Sequence, residues 1–330
     1  MKCAVVGAGA WGTALANVLA DNGHTVLVWA FEPDVAEAIT EGHENPRFLP
    51  GVAINPEVRA TPDKAAAVTG AELVVYATPS HVLRDLASSA RACLPARATV
   101  VVATKGIERD RLSLMTSVIA EELPGRPIVV LSGPSFAAEV AARQPTAIVA
   151  ASTRADAATC VQEAFSSPSF RVYTHDDVTG VALGGALKNI MAVATGISDG
   201  LGLGFNARAA LITRGLAEMM RLGVRLGARP ATFAGLAGVG DLVLTCTGAL
   251  SRNRTVGLEI GRGATLNEVL AGRETVAEGI VTTESARALA EREGIEMPIV
   301  NAVHRVLFER QPARWALVEL MTRGLRGEED

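Results

Sequence analysis

Lys105 and Lys188 stand among small and apolar residues, in Ala103-Thr104-Lys105-Gly106-Ile107 and Ala186-Leu187-Lys188-Asn189-Ile190. The 31 basic residues include only four lysines, Lys2, Lys64, Lys105 and Lys188, so arginine serves wherever an ordinary surface cation is needed. A lysine ammonium shifts its pKa when buried and then exchanges its proton near neutrality, which a guanidinium effectively never does. Both lysines are therefore candidates for moving a proton to or from a reacting oxygen. The alternative is a structural lysine at a helix terminus or in an ion pair. Asp241, in Gly238-Val239-Gly240-Asp241-Leu242, can cap a helix or orient Lys188. Ser251-Arg252-Asn253 offers a cation between two short polar side chains, and arginine pairs with phosphate through two hydrogen bonds. As plain structure the same tripeptide reads as a helix cap, with Asn253 capping and Arg252 solvated.

The N-terminus offers a place for a redox cofactor. Gly7-Ala8-Gly9-Ala10-Trp11-Gly12 is G-x-G-x-x-G between a strand-like and a helix-like run. In a dinucleotide turn Gly7 permits the tight bend, Gly9 leaves room for a pyrophosphate, and Gly12 allows helix and strand to pack closely. The amides at the helix N-terminus face the phosphates. Glu32 lies 20 residues beyond Gly12, where a carboxylate accepts hydrogen bonds from the adenosine ribose of NAD. Phe31 precedes it and no Arg is near it in sequence, so NAD(H) is the expected preferred cofactor. Glu32 also reads as a solvated loop acid.

The elements that must hold these residues follow a simple order. Strand-like runs at Lys2–Val6, Thr25–Ala30, Leu73–Ala77, Thr99–Ala103, Ile128–Leu131, Ala147–Ala151 and Arg171–Thr174 are interspersed with helical stretches such as Thr13–Asn22, His81–Cys93 and Leu112–Leu123. This alternation predicts an α/β unit, a doubly wound parallel sheet of Rossmann type with helices on both faces. Beyond about residue 178 the pattern is helical: Gly180–Asp199, Asn206–Leu226, Thr255–Gly263, Thr282–Glu293 and Ile299–Phe308. The expected organisation is a dinucleotide-binding domain over 1–178 and an all-helical substrate domain over 179–330. Arg208, Arg214, Glu218 and Arg221 read as a charged, mutually paired face of one helix.

The motifs occur in a telling order: Gly9-Ala10-Trp11-Gly12-Thr13-Ala14-Leu15, His43-Glu44-Asn45-Pro46-Arg47-Phe48-Leu49-Pro50-Gly51, Thr104-Lys105-Gly106-Ile107 and Leu131-Ser132-Gly133-Pro134-Ser135-Phe136-Ala137. Then follow Leu187-Lys188-Asn189, Ala237–Leu242, Ser251-Arg252-Asn253 and Glu278-Gly279. This series, across nearly the whole chain, resembles the bacterial NAD(P)-dependent glycerol-3-phosphate dehydrogenase family. The resemblance implies reduction of dihydroxyacetone phosphate by NAD(P)H to sn-glycerol 3-phosphate, and the reverse. It implies that Lys188 accepts or donates the proton, and that Lys105, Gly133, Ser135, Asp241, Ser251, Arg252 and Asn253 hold the substrate. It further implies cofactor contacts from Ala10, Trp11, Phe31, Lys105, Ala137, Arg252, Val276 and Glu278. Phe31 stands where the family often has Arg, which argues against strong NADP binding. Ala10 stands where Ser or Asn is common, so one hydrogen bond to a phosphate is lost.

Composition excludes several other classes. With 31 basic against 35 acidic residues the net charge is −4, unlike a protein that binds nucleic acid through a broad basic surface. The most apolar stretch, Ala182–Leu203, is interrupted by Lys188, Asp199 and glycines, so no membrane span is expected. The opening residues read as a strand, not a cleavable signal. Cys3, Cys93, Cys160 and Cys246 form no CxxC pair and suit a reducing, cytoplasmic setting. None of the five histidines forms an HxxxH or HxH pair, so no metal is expected. The sequence leaves the oligomeric state open, with a homodimer among the assemblies it allows. Two other readings remain: a related dehydrogenase acting on a β-hydroxyacid or ketopantoate, and a non-catalytic NADH sensor. The first would need a carboxylate site in place of Ser251-Arg252-Asn253, and the second has no use for two lysines in apolar settings.

Overall fold

The structure, a computed structural model, describes residues 1–271, 277–325 and 327. The chain begins with β1 (Lys2–Val6), α1 (Ala10–Asp21), β2 (Thr25–Trp29), α2 (Pro33–Glu41), the short pair β3 (Glu44–Asn45) and β4 (Leu49–Ala53), β5 (Val58–Thr61) and α3 (Lys64–Val68). It continues through β6 (Leu73–Tyr76), α4 (Leu83–Ala90), β7 (Thr99–Val102), α5 (Met115–Glu122), β8 (Ile128–Ser132), α6 (Ala137–Ala141), β9 (Thr146–Ala151), α7 (Ala155–Phe165) and β10 (Phe170–His175). Helices follow: α8 (Val178–Gly200), α9 (Gly204–Arg225), α10 (Pro230–Phe233), α11 (Asp241–Thr247), α12 (Arg252–Gly261), α13 (Leu266–Leu270), α14 (Glu278–Glu293), α15 (Pro298–Phe308) and α16 (Ala313–Met321). Among the described residues no strand follows β10.

Eight strands form one sheet in the order β10-β9-β8-β7-β6-β1-β2-β5. The central strands, such as Leu73-Val74-Val75-Tyr76 and Thr99-Val100-Val101-Val102, are buried at every position. They carry continuous apolar runs because helices cover both faces, so neither face selects polar residues. The chain builds β1, β2 and β5 toward one edge and then returns to place β6 on the other side of β1. That reversal opens a crevice at the carboxyl ends of β1 and β6, where doubly wound sheets bind ligands. The sheet is not wholly parallel, as the sequence pattern led us to expect. β9 runs antiparallel to β8, and β10 is parallel to β9. The connection from β8 to β9 holds only the five-residue α6.

α8 is the axis of the helical half. Eighteen of its positions, among them Leu183, Leu187, Ile190 and Met191, are buried. By length and hydropathy it could cross a membrane, yet 94% of its apolar window is buried inside the protein, as in the core helix of a globular unit. Each such side chain contributes on the order of 1.5–3 kcal/mol on burial, which holds the helix interior on all its faces. Helix α12 packs on it backbone to backbone. A Cβ on Gly196 would lie 2.1 Å from the Arg254 carbonyl oxygen, and one on Gly257 would lie 2.1 Å from that of Val193. Glycine at both positions lets the start of α12 reach the middle of α8.

The charged face expected on α9 is different in kind. Glu218 is 2% exposed and accepts the backbone N–H groups of Ile299 (2.7 Å) and Val300 (3.3 Å) at the start of α15. Arg208 pairs with Asp199 of α8 at 2.7 Å. The acid therefore satisfies a helix terminus instead of lining a solvent face.

Candidate active site

Because α8 is buried on every side, position 188 is an interior position, and the Lys188 ammonium must be met there by a counter-charge. The fold supplies it through a close approach. A Cβ on Gly184, one turn before Lys188, would lie 2.3 Å from the Ala237 carbonyl oxygen. Glycine lets the Leu236–Gly240 turn lie on the helix and deliver Asp241, fully buried at the start of α11. Its Oδ1 accepts the Nζ of Lys188, and its Oδ2 accepts the Nζ of Lys105 at 3.1 Å. The Thr245 hydroxyl lies 3.3 Å from Oδ1. Lys105 comes from the other half of the chain, just beyond the carboxyl end of β7. Lys105, Lys188 and Asp241 thus meet in one cluster where the sheet edge faces the helices.

Burial dominates the electrostatics. It pushes the Lys188 ammonium down to about 7, against the pull of Asp241 and with the help of the neighbouring Lys105 charge. For Asp241 burial acts upward, but the two ammonium groups outweigh it and hold the carboxyl below its ordinary range. One carboxylate between two lysines leaves a net positive cluster when both are protonated, poised for an oxygen that gains negative charge.

The remaining substrate residues expected from sequence lie on segments flanking this cluster. Gly133, at the end of β8, has φ +143°, and a Cβ there would lie 2.9 Å from the Ile148 backbone. The Ser135 hydroxyl donates to the Gly133 carbonyl at 2.9 Å. At α12 the cap is Ser251, whose hydroxyl accepts from Arg254 N–H at 3.3 Å, and not Asn253 as the plain structural reading had it. Asn253 instead joins three helices: it donates to Asn189 Oδ1 at 3.0 Å and accepts from Gly279 N–H at 2.9 Å. A carboxamide has a further donor and acceptor beyond these two bonds. Arg252, the first residue of α12, is exposed.

The Gly-rich turn fits a dinucleotide. A Cβ on Gly12 would lie 1.9 Å from the Gly7 carbonyl oxygen, and Gly7, at φ +115°, approaches the Ala77 carbonyl at the end of β6. Above Gly9 the space is open, the N-terminus of α1 carries no side-chain cap and no acid, and the buried Trp11 indole N–H has no partner among the described residues. An open cradle, free amides and an orphaned donor are what a bound phosphate-linked cofactor would satisfy. Ala10 and Trp11 open α1, and the half-buried Ala137 opens α6. Glu278, the first residue of α14, accepts from the Ser80 hydroxyl at 2.9 Å, and burial raises its carboxyl above the ordinary range against those bonds. Val276 lies outside the described residues. Phe31 is 76% exposed, with its ring edge-on to Trp29 at 6.3 Å. Glu32 sits at the cap position of α2 but its side chain makes no cap bond. The absence of an Arg near it in sequence does not hold in space: Arg47 Nη1 lies 4.0 Å from Glu32 Oε1.

Sequence reasoning assigned no role to Asn45, Ser80 or Arg47. Asn45, fully buried, donates to the Ala8 carbonyl at 2.8 Å and to the Thr13 hydroxyl at 2.9 Å, tying the β3–β4 pair to the Gly-rich turn. The signal was an Asn before Pro46 in a short segment without periodicity. For Ser80 it was a polar residue just beyond β6, on the edge where such sheets bind ligands.

A switch-point dinucleotide turn facing two lysines on one buried carboxylate defines a nicotinamide-dependent dehydrogenase. The chain belongs to the NAD-dependent glycerol-3-phosphate dehydrogenase family, matching its N-terminal part over residues 2–158 and its C-terminal part over residues 177–318. It is 53% identical over 330 residues to the glycerol-3-phosphate dehydrogenase [NAD(P)+] of Geobacter sp. (strain M21), covering 99% of this chain and 98% of that one. The crystal structure of glycerol-3-phosphate dehydrogenase from Coxiella burnetii superposes with a TM-score of 0.94 at 42% identity, covering 98% and 99% of the two chains. A ketopantoate reductase from Ralstonia eutropha, at 18% identity and a TM-score of 0.63 over 97% and 100% of the chains, shares the fold alone.

Proposed function

We propose that this chain interconverts dihydroxyacetone phosphate and sn-glycerol 3-phosphate with NAD(H), and with NADP(H) as a usable cofactor, so supplying the phospholipid precursor. The observation that carries the reading is the Lys188–Asp241–Lys105 cluster at the edge of the dinucleotide crevice. The bound nicotinamide supplies or takes the hydride. As the ketone carbon gains it, the oxygen becomes an alkoxide, and the Lys188 ammonium gives that oxygen a proton. In the reverse direction neutral Lys188 takes the hydroxyl proton. A group poised near pH 7 serves both directions. Asp241 keeps Lys188 aimed and stops its pKa from falling further. Lys105 adds a second positive charge beside the developing one. Gly133, Ser135, Ser251, Arg252 and Asn253 hold the substrate, with Arg252 on the phosphate. Gly7, Gly9, Ala10, Trp11, Gly12, Phe31, Glu32, Lys105, Ala137, Arg252, Val276 and Glu278 hold the cofactor.

On this reading residues 1–178 bind the dinucleotide and 179–330 carry the substrate and the proton. Cores on the two faces of the sheet and a third around α8 support that division, while Val130, Val149 and Ala151 of the sheet pack with Val181 and Ala237 across it. Four unpaired thiols support a cytoplasmic enzyme. A homodimer completes the reading, and sedimentation velocity tests it. The deciding assay follows NADH loss with dihydroxyacetone phosphate, with ketopantoate and a β-ketoacid as competitors. Turnover of the phosphate substrate with formation of sn-glycerol 3-phosphate is expected. Turnover of a carboxylate substrate in its place would sink the proposal.

A further inference from the structure

Glu32 poses a problem for a site that accepts both cofactors. A carboxylate suits the free 2′-hydroxyl of NAD and repels the 2′-phosphate of NADP. The cation that sequence could not find beside it is Arg47, in the turn between β3 and β4. Its Nη1 lies 4.0 Å from Glu32 Oε1, and its guanidinium stands over the Phe48 ring, 5.2 Å from the centroid. The turn that carries it is anchored. Asn45 binds the Ala8 carbonyl and the Thr13 hydroxyl within the dinucleotide turn, and it accepts the Phe48 N–H at 3.1 Å. Arg47 is thus held by a buried side chain that reads the position of the cofactor turn itself. Both charged side chains remain partly exposed, 36% for Arg47 and 27% for Glu32, so either can exchange its partner for a ligand at little desolvation cost.

We propose that Arg47 is the specificity residue that admits NADP(H): with NAD(H) it pairs with Glu32, and with NADP(H) it turns its guanidinium to the 2′-phosphate and shields that phosphate from Glu32. The proposal rests on the cofactor reading above. Guanidinium is the group for this task, since it binds phosphate through a planar fork and does not titrate. Phe48 stabilises the planar cation from beneath in either pairing. Arg47 brings a positive charge beside Glu32, so the carboxylate alone does not set the field that the phosphate meets. This accounts for a usable NADP(H) without an Arg at position 31.

The test is equilibrium binding of NADH, NADPH, 5′-AMP and 2′,5′-ADP to the whole protein with no ketone present. Arg47→Ala is expected to lower the NADPH-to-NADH affinity ratio about tenfold, the scale of one charge-assisted contact at a partly exposed site. The ratio of 2′,5′-ADP to 5′-AMP should fall in parallel, and the difference should shrink as salt is raised. Arg47→Lys should keep part of the ratio, and Glu32→Gln should move it the opposite way. An unchanged ratio in Arg47→Ala, or equal weakening of all four ligands, would overturn the proposal and leave Arg47 a loop-packing residue. Failure of the wild-type protein to oxidise NADH with dihydroxyacetone phosphate would count against the activity reading and not against this one.

Discussion

Replacing Asp241 by Asn removes one charge and almost no volume from the centre of the site. The carboxylate touches both ammonium groups and is fully buried, so its loss leaves two lysines without a counter-ion among the described residues. Burial already holds Lys188 at about 7. An opposite charge at this range shifts a pKa by about 1–3 units, so its deletion should take Lys188 down to roughly 4–6. Each unit is a tenfold loss of the protonated acid above the pKa. Ketone reduction by Asp241→Asn near pH 8 should therefore fall by about 10- to 1000-fold. The alkaline limb of kcat/KM should move from near 7 to lower pH by the same number of units. Stability should fall too, since breaking a buried ion pair costs on the order of 3–5 kcal/mol. The assay is the profile of kcat/KM for dihydroxyacetone phosphate with NADH from about pH 5 to 9, beside a melting curve of each protein. A folded variant whose alkaline limb stays at the wild-type position would refute the reasoning, because Asp241 would then not set the proton affinity of Lys188.

Lys188→Ala should lower kcat by about 10²-fold or more while NADH affinity, read by fluorescence, stays near wild type; near-normal kcat would remove it as the proton carrier. Arg252→Ala should raise KM for the phosphate substrate by the equivalent of about 1.5–3 kcal/mol, and unchanged steady-state kinetics would return it to the solvated surface. Gly257→Val, which puts a branched side chain 2.1 Å from the Val193 carbonyl, should destabilise the protein by about 1–3 kcal/mol or more in urea titrations, and tolerance would mean that α12 can slide on α8. Glu218 carries a carboxyl raised from 4.5 to about 7 by burial, so its contribution to stability is full below 4.5 and is lost as pH rises through 7. Glu218→Gln should flatten that decline in melting temperature between pH 5 and about 8, and an unchanged slope would place the decline elsewhere.

What could be read in the sequence shares a physical property: the constraint is local. The Gly-rich turn is legible because Gly12 answers to a backbone clash with Gly7 in the same turn and Gly7 to its own positive φ of +115°, and the two leave a fixed spacing. Lys188 is legible because an ammonium flanked by small and apolar residues on every side of a helix has no solvent face to turn to. What escaped depends on elements that meet only in the folded chain. On α9 the charges share a helical face, and nothing along the helix says whether water or a neighbour lies opposite. There the N-terminus of α15 comes to rest on Glu218, so the acid is read as solvated when it is the partner of two orphan amides. The cap of α12 shows the same limit at shorter range. Ser251 and Asn253 are both good caps, and the choice turned on Asn189 and Gly279 engaging Asn253 from two other helices. Glu32 was judged by its sequence neighbours, while its counter-charge arrives on a pair of strands too short to show a period, pinned by Asn45. In each case the side chain's chemistry was visible and its partner was not, so the surest sequence inferences are those in which one residue and its own backbone suffice. Binding preference, which is a property of pairs, has to be read from the fold.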